Sequence, residues 1–489
     1  MNFFDYLFQE ICNFEKNLVL GPKETASYKK IYYNSLAIAG LIRSLAGENN
    51  NVLLISPNSV FFITVYLGIM KSGNAVIPLS PATEKRNLEH IIRETNARIA
   101  FIPKPLTSRI KLPGIQILTE ENIPDNDKNI EGLPDFPDPD FNSERMAQIL
   151  FTSGSTGIPK GVMLSHKNLI ANTRSILRYL QLTEDDIMEV VLPFHYCYGL
   201  SLLHTHLKVG GSLVINNSFI FLGSVINDLQ KYKCTGFAGV PSHFQILLRK
   251  TTSFLNMDLP HLRYVTQAGG KLHYIFIKEF TEAFPNTKFF VMYGQTEATA
   301  RLSYLPPELI ESKKGSIGKG IPDVTLKVVN EKNEPVSPGE TGEIIARGDN
   351  IMIGYLNDPE STARILKNGW LHTGDLAQID EDGFIYIVAR SKEIFKVRGK
   401  RISLKEIEEV IVSVPSVVDC SIEGFDDELL GEGIKAVVVL KEGSDPVQEK
   451  ENILETCKRE LVPYKIPQKI EFVSNLRINE SGKKIKDGT

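Results

Sequence analysis

Short apolar runs alternate with stretches of helical period along the first part of the chain. NVLLISP, from Asn51, reads as a buried strand. Asn58 and Ser59 can start a helix that runs through GIMKSG, and Gly73 can end it. AVIPL is the next strand, residues 83–96 the next helix and RIAFI the strand after that. Strand–helix–strand alternation with apolar strands predicts a mostly parallel sheet covered by helices on both faces. Residues 131–143, acidic and holding three prolines, predict a loop, because proline has no ladder donor. It leads to the strand MAQILF, a glycine-rich turn and then a helix. Ser165 is that helix's expected N-cap, with Leu169, Thr173, Ile176 and Leu180 along one face.

From Gly315 the pattern changes. TLKVVN, GEIIARG and GFIYIVAR are short strands parted by Asn, Gly, Pro and Asp turns. After Arg390 the order is hairpin (IFKVRGKRI), helix (404–412), strand (VVDCSIEG), strand (IKAVVVL), helix (447–460) and strand (KIEFV). The expected fold class is α/β. Residues 1–390 form a large region of mostly parallel sheets flanked by helices, with a β-rich part at about 315–390, and residues 391–489 form a small α+β C-terminal domain.

Length agrees with more than one domain, since 489 residues exceed one ordinary core. Apolar residues at 42%, charged residues at 23% and a net charge of -4 describe a globular protein. No basic block points to nucleic acid. The five cysteines, Cys12, Cys197, Cys234, Cys420 and Cys457, are odd in number and form no CxxC, which argues against a disulfide framework or a zinc site and for a reducing cytoplasm. Phe4, Leu7 and Ile11 predict a short amphipathic helix instead of a signal peptide. The longest apolar stretch, residues 60–70, is about half the ~20 residues needed to span a bilayer.

The segment TSGSTGIPKG, residues 152–161, has the chemistry of a polyphosphate cradle. Gly154, Gly157 and Gly161 let backbone N–H groups approach an anion, Thr152, Ser153, Ser155 and Thr156 add neutral donors, and Lys160 adds charge. A Walker loop is excluded, because Pro159 precedes Lys160 and Gly161 follows it. On composition alone a flexible Ser/Gly surface loop explains the segment equally well.

ILFTSGSTGIPKGVMLSH resembles the signature loop of the adenylate-forming (AMP-binding) superfamily, which holds acyl-CoA synthetases, adenylation domains of peptide synthetases and beetle luciferases. Further matches follow in the family's order, from about residue 30 to 485. QAGGKL, with Gln267, Gly269, Gly270 and Lys271, resembles the adenine-side loop. YGQTEA resembles the next motif; the resemblance implies Tyr293 stacked on adenine beside Gly294 and Gln295, Thr296 on phosphate and Glu297 on Mg²⁺. One carboxylate suits a Mg²⁺ shared with phosphates. The resemblance puts Asp375 and Arg390 on ribose. It makes Lys392 the hinge of a mobile C-terminal domain and sets Gly399 in the thiol tunnel. Lys483 matches the catalytic lysine, although Leu476-Arg477-Ile478-Asn479 departs from the preceding pattern and Lys484 is an adjacent alternative.

The family's chemistry has two steps. A carboxylate attacks the α-phosphorus of ATP, pyrophosphate leaves, and a thiol then displaces AMP from the acyl-adenylate. LPFHYCYGLSLLHTH resembles the start of the substrate-pocket helix. Amino-acid-activating relatives carry Asp after the Phe, where this chain has His195, so the resemblance implies a non-amino fatty, aryl or other organic acid. His195 and Tyr196 would cover the carboxylate, or His195 is a satisfied structural histidine. Gly239 of GVPSHF adds a pocket wall, beside Gln267. Coenzyme A is the expected acceptor, with a carrier-protein phosphopantetheine as the alternative. A non-catalytic nucleotide-binding relative and a luciferase-like oxygenase are the other readings.

Overall fold

The computed structural model describes residues 1–12, 14–123, 140–152, 158–217, 219, 221–390, 394–397, 400–427, 431–477 and 484. Two large sheets carry most of the chain. The seven-stranded sheet is built on Asn51–Ile55, Ala75–Leu79, Ile99–Phe101 and Met146–Thr152, with the first three pairing in parallel in the predicted strands. The nine-stranded sheet centres on the parallel strands Ile187–Val190, Gly236–Gly239, Tyr264–Gln267 and Lys288–Tyr293. Ser303–Leu305 and Lys319–Gly320 close its edge in antiparallel pairing.

The helix Val60–Lys71 is capped by Ser59 and buried along its length. It packs on the helix Tyr28–Ala46 so closely that a Cβ at Gly68 would meet Ile38 at 2.6 Å. Among the described residues no helix is long and apolar enough to cross a membrane. The N-terminal helix is shorter than its apolar spacing predicts: it covers Phe3–Phe8, and Ile11 is buried beyond its end. Phe3, Phe4, Leu7 and Phe8 are fully enclosed, and each such side chain contributes roughly 1.5–3 kcal/mol.

The strand that follows the glycine-rich segment escaped the sequence pattern. The glycine-rich segment does not lead straight into a helix: Lys160–Ser165 first pairs antiparallel with Met146–Thr152, and the helix His166–Leu180 starts only at the Ser165 cap, which is closed reciprocally by Asn168. Thr152 and Lys160, on either side of the segment's undescribed residues, therefore face each other across an antiparallel pair. GVMLS is too short and too apolar to separate from a helix start by period alone.

Thr325–Val329, Thr341–Arg347, Trp370–Ile379 and Ile385–Arg390 form the β-rich part. The long central strand, Trp370–Ile379, hid behind its turn-like Thr-Gly-Asp. Past residue 390 the elements follow the predicted order: hairpin Ile394–Val397 with Lys400–Ser403, helix Leu404–Val412, strands Val417–Asp427 and Gly431–Leu440, helix Pro446–Glu460 and strand Lys469–Phe472. Arg249 ties this unit to the large sheet region. It donates to the carbonyls of Val412, Val414 and Val417 while pairing with Glu279.

Candidate active site

Three parallel strands end side by side. Register places Gly239 opposite Gln267 and Gln267 opposite Val291, two residues before Tyr293. The carboxyl ends of such strands are where open α/β sheets hold ligands. The chain leaves the third strand through YGQTEA, and sterics dictate its path. A Cβ at Gly294 would lie 2.0 Å from the Ala300 carbonyl oxygen, so only glycine fits. Thr296–Ala298 makes one tight helical turn. Thr299 follows at φ 64°, ψ −56°, uncommon for a β-branched residue, and Ala300 N–H donates to Ala298 O at 2.7 Å. Outside contacts hold this strained γ-turn. The Thr299 hydroxyl donates to Asn350 O at 2.7 Å, Asn350 Nδ2 donates to Arg301 O at 2.8 Å, and Met352 N–H donates to Glu297 O at 2.9 Å. Strain retained by surrounding structure is a frequent mark of a functional turn.

The turn presents Glu297 toward the hairpin that carries the phosphate segment. Glu297 Oε1 accepts from the Tyr355 hydroxyl at 2.7 Å. Burial, reinforced by the Glu297 charge, raises the Tyr355 pKa well above the phenol range and keeps it a donor. Lys160 lies 5.2 Å over the Tyr355 ring and pairs with Asp358 at 2.9 Å, with Ser361 alongside. Hydrogen bonding from Lys160, then from the backbone and hydroxyl of Ser361, lowers the Asp358 pKa to about 2. Lys160 and Glu297 thus meet across Tyr355 although they come from different sheets.

Asp375 is 2% exposed and accepts from the Tyr293 hydroxyl at 2.7 Å, which joins the candidate ribose acceptor to the candidate adenine ring. Arg390 stands opposite Asp375 in the antiparallel register. In the adenine-side loop, Gln267 Nε2 donates to Gly270 O at 2.8 Å, Gly269 takes φ 84°, and Gly270 faces Pro241, where a Cβ would lie 3.2 Å from the ring. Lys271 turns to the C-terminal unit and pairs with Glu409.

At the candidate acid end, His195 and Tyr196 are half-buried just before the helix Cys197–Val209. The Thr296 hydroxyl donates to Cys197 Sγ at 3.6 Å, which couples this helix to the Glu297 turn. Gln295 is half-buried between Gly294 and Thr296. Thr152 pairs with Lys160 across the hairpin.

Ser153, Gly154, Ser155, Thr156, Gly157, Lys392, Gly399 and Lys483 lie outside the described residues, as does the side chain of Arg390. Lys484, the alternative to Lys483, is committed elsewhere: its ammonium is 2.7 Å from Asp419 and 3.9 Å from Glu408 and donates to Cys420 O.

Tyr355, Asp358, Asn350 and Arg301 escaped the sequence reading. Asp358-Pro359 carries a helix-start signal, confirmed by the Asp358 cap on Ser361 N–H. Nothing local marks the other three.

The model of the AMP-binding enzyme family matches residues 11–356, and that of the AMP-binding enzyme C-terminal domain matches residues 406–483. The chain belongs to the AMP-binding enzyme family. It is an AMP-forming acid–thiol ligase of the acyl-CoA synthetase type, which activates a carboxylic acid with ATP. It is 32% identical to a probable CoA ligase of Humulus lupulus over 88% of this chain and 81% of the relative. It is 29% identical to the long-chain-fatty-acid–CoA ligase of Escherichia coli O157:H7, covering 94% and 89%. Its fold superposes on the anthranilate CoA ligase AuaEII in complex with anthranoyl-AMP with a TM-score of 0.87, at 24% identity, over 99% of this chain and 95% of that one.

Proposed function

We propose that this ligase joins a non-amino organic acid to coenzyme A, with ATP and Mg²⁺ at the site just described. The observation that carries the reading is the row Lys160–Tyr355–Glu297 beside Tyr293–Asp375: a cation and a carboxylate at the phosphate end, an acceptor at the ribose end. Glu297 Oε1 is engaged by Tyr355, and Oε2 has no hydrogen-bond partner among the described residues. One such carboxylate suits a Mg²⁺ that takes its other ligands from phosphates and water.

The reaction needs little covalent work from the protein, so positioning and charge stabilisation account for most of it. The acid's carboxylate attacks the α-phosphorus, and Lys160 leaves Asp358 to steady the departing pyrophosphate with the Ser, Thr and Gly residues of the phosphate segment. Thr296 donates to a phosphate oxygen, and Lys483 bridges carboxylate and α-phosphate. The C-terminal domain then turns about Lys392, withdraws Lys483 and brings Gly399 to the thiol path. None of the five cysteines is in a disulfide, in keeping with a cytoplasmic setting.

Exchange of labelled pyrophosphate into ATP across a panel of acids, followed by addition of coenzyme A or a carrier protein, tests the reading. Lys483→Ala is expected to abolish exchange yet spare thioester formation from supplied adenylate. Equal loss of both half-reactions would refute the division of labour.

A further inference from the structure

Among the described residues, the other buried cations are paired. Lys71, 2% exposed, sits 2.8 Å from Asp5. Arg249, 5% exposed, meets three carbonyls and Glu279. Arg301 is the exception. It is 2% exposed, and among the described residues no acidic side chain pairs with it. Its guanidinium lies 4.6 Å over the Tyr198 ring, one terminal nitrogen stands 3.5 Å from Ser201 Oγ, and Nε has no hydrogen-bond partner. The Tyr179 hydroxyl also hydrogen-bonds the guanidinium, yet all these partners are neutral, and burying a guanidinium without a counter-anion is costly.

Its position gives that cost a use. Arg301 leaves the same turn that carries Thr296 and Glu297, and its Cα lies 2.9 Å from where a Gly294 Cβ would stand. Its side chain reaches to the face of the helix Cys197–Val209 that bears Tyr198 and Ser201. Tyr198 is anchored to Thr266 O at 2.9 Å, one residue before Gln267, and follows the Cys197 that Thr296 touches. The cation therefore stands four residues past Glu297 on the same tight turn, against the helix that the resemblance assigns to the acid pocket, so only a short span separates it from the reacting end. The same charge repels a substrate ammonium.

We propose that the acid is a short dicarboxylic acid: one carboxyl is activated at the Glu297 end, and the other is held by Arg301. A planar carboxylate accepts two parallel N–H bonds from a guanidinium and removes its unpaired charge. This rests on the acid-activation reading above.

Pyrophosphate exchange with straight-chain dicarboxylic acids of about two to six carbons, against monocarboxylic acids of the same lengths, provides the test. A diacid is expected to exceed its monoacid by ~100-fold or more in kcat/KM, and Arg301→Met to collapse that ratio ~100-fold, chiefly through KM for the diacid. Arg301→Lys should recover part of the ratio, since charge without the fork is a poorer fit. Should Arg301→Met not fold, the wild-type panel and Arg301→Lys decide. Preference for monoacids, or a ratio indifferent to Arg301, overturns the proposal alone. No exchange with any acid overturns the activation reading, and this one with it.

Discussion

The two ends of the Glu297 turn treat charge in opposite ways. At the phosphate end Lys160 is paired with Asp358, Asp358 caps a helix, and Glu297 accepts from Tyr355. At the acid end Arg301 is more deeply buried and has no acidic partner among the described residues. The half-exposed lysine can exchange an internal carboxylate for a phosphate at little net cost, because both states are paired and partly hydrated. The buried arginine has no such reserve, which is why the proposal gives it a ligand anion.

Glu297→Gln should break the comparison most severely. With the candidate Mg²⁺ carboxylate neutralised, kcat for pyrophosphate exchange is expected to fall ~1,000-fold with little change in melting temperature. A loss below tenfold would show that Glu297 is not the metal's anchor. Gly294→Ala attacks the turn that joins both ends. Its Cβ would meet the Ala300 carbonyl at 2.0 Å, so the protein should lose about 1–3 kcal/mol on denaturant unfolding, with phosphate and acid ends impaired together. Selective damage to one end would mean that the ends are not coupled through the turn.

Tyr355→Phe is milder. It removes one hydrogen bond to Glu297, about 1 kcal/mol, and is expected to raise KM for Mg·ATP roughly fivefold while leaving the acid's KM in place.

Asp358→Asn should have the smallest effect, visible in pH dependence. The folded pKa of about 2 lies below the ordinary 3.8, so the pairing with Lys160 stabilises fully above about pH 4 and is lost as pH falls toward 2. The variant should melt slightly below wild type at pH 6, and the gap should close on acidification. A gap that widens in acid would contradict the pairing.

Much of the fold was legible because its signals are local. Ser59 and Ser165 cap the helices they were expected to cap, and the order of elements after residue 390 follows the pattern. The strand Lys160–Ser165 was not legible, since a short apolar run fits strand and helix alike. In the site, sequence could nominate Lys160, Tyr293, Glu297 and Asp375 one by one, but not their partners. Tyr355 and Arg301 carry no local signature, because their roles come from contacts made across the fold.

The sequence by itself determined the family, the glycine that the turn at 294 requires, and the candidate residues for a nucleotide and a carboxylate. Chain chemistry and local sterics suffice for those. The tertiary structure decided which charges meet. It set Lys160 beside Asp358, 198 residues further along, brought Tyr293 to Asp375 across 82 residues, and left Arg301 buried over Tyr198 without a carboxylate. Pairing at such separations depends on how two sheets and their connecting turns pack. That packing decides whether a cation is held in reserve or left for the substrate to neutralise.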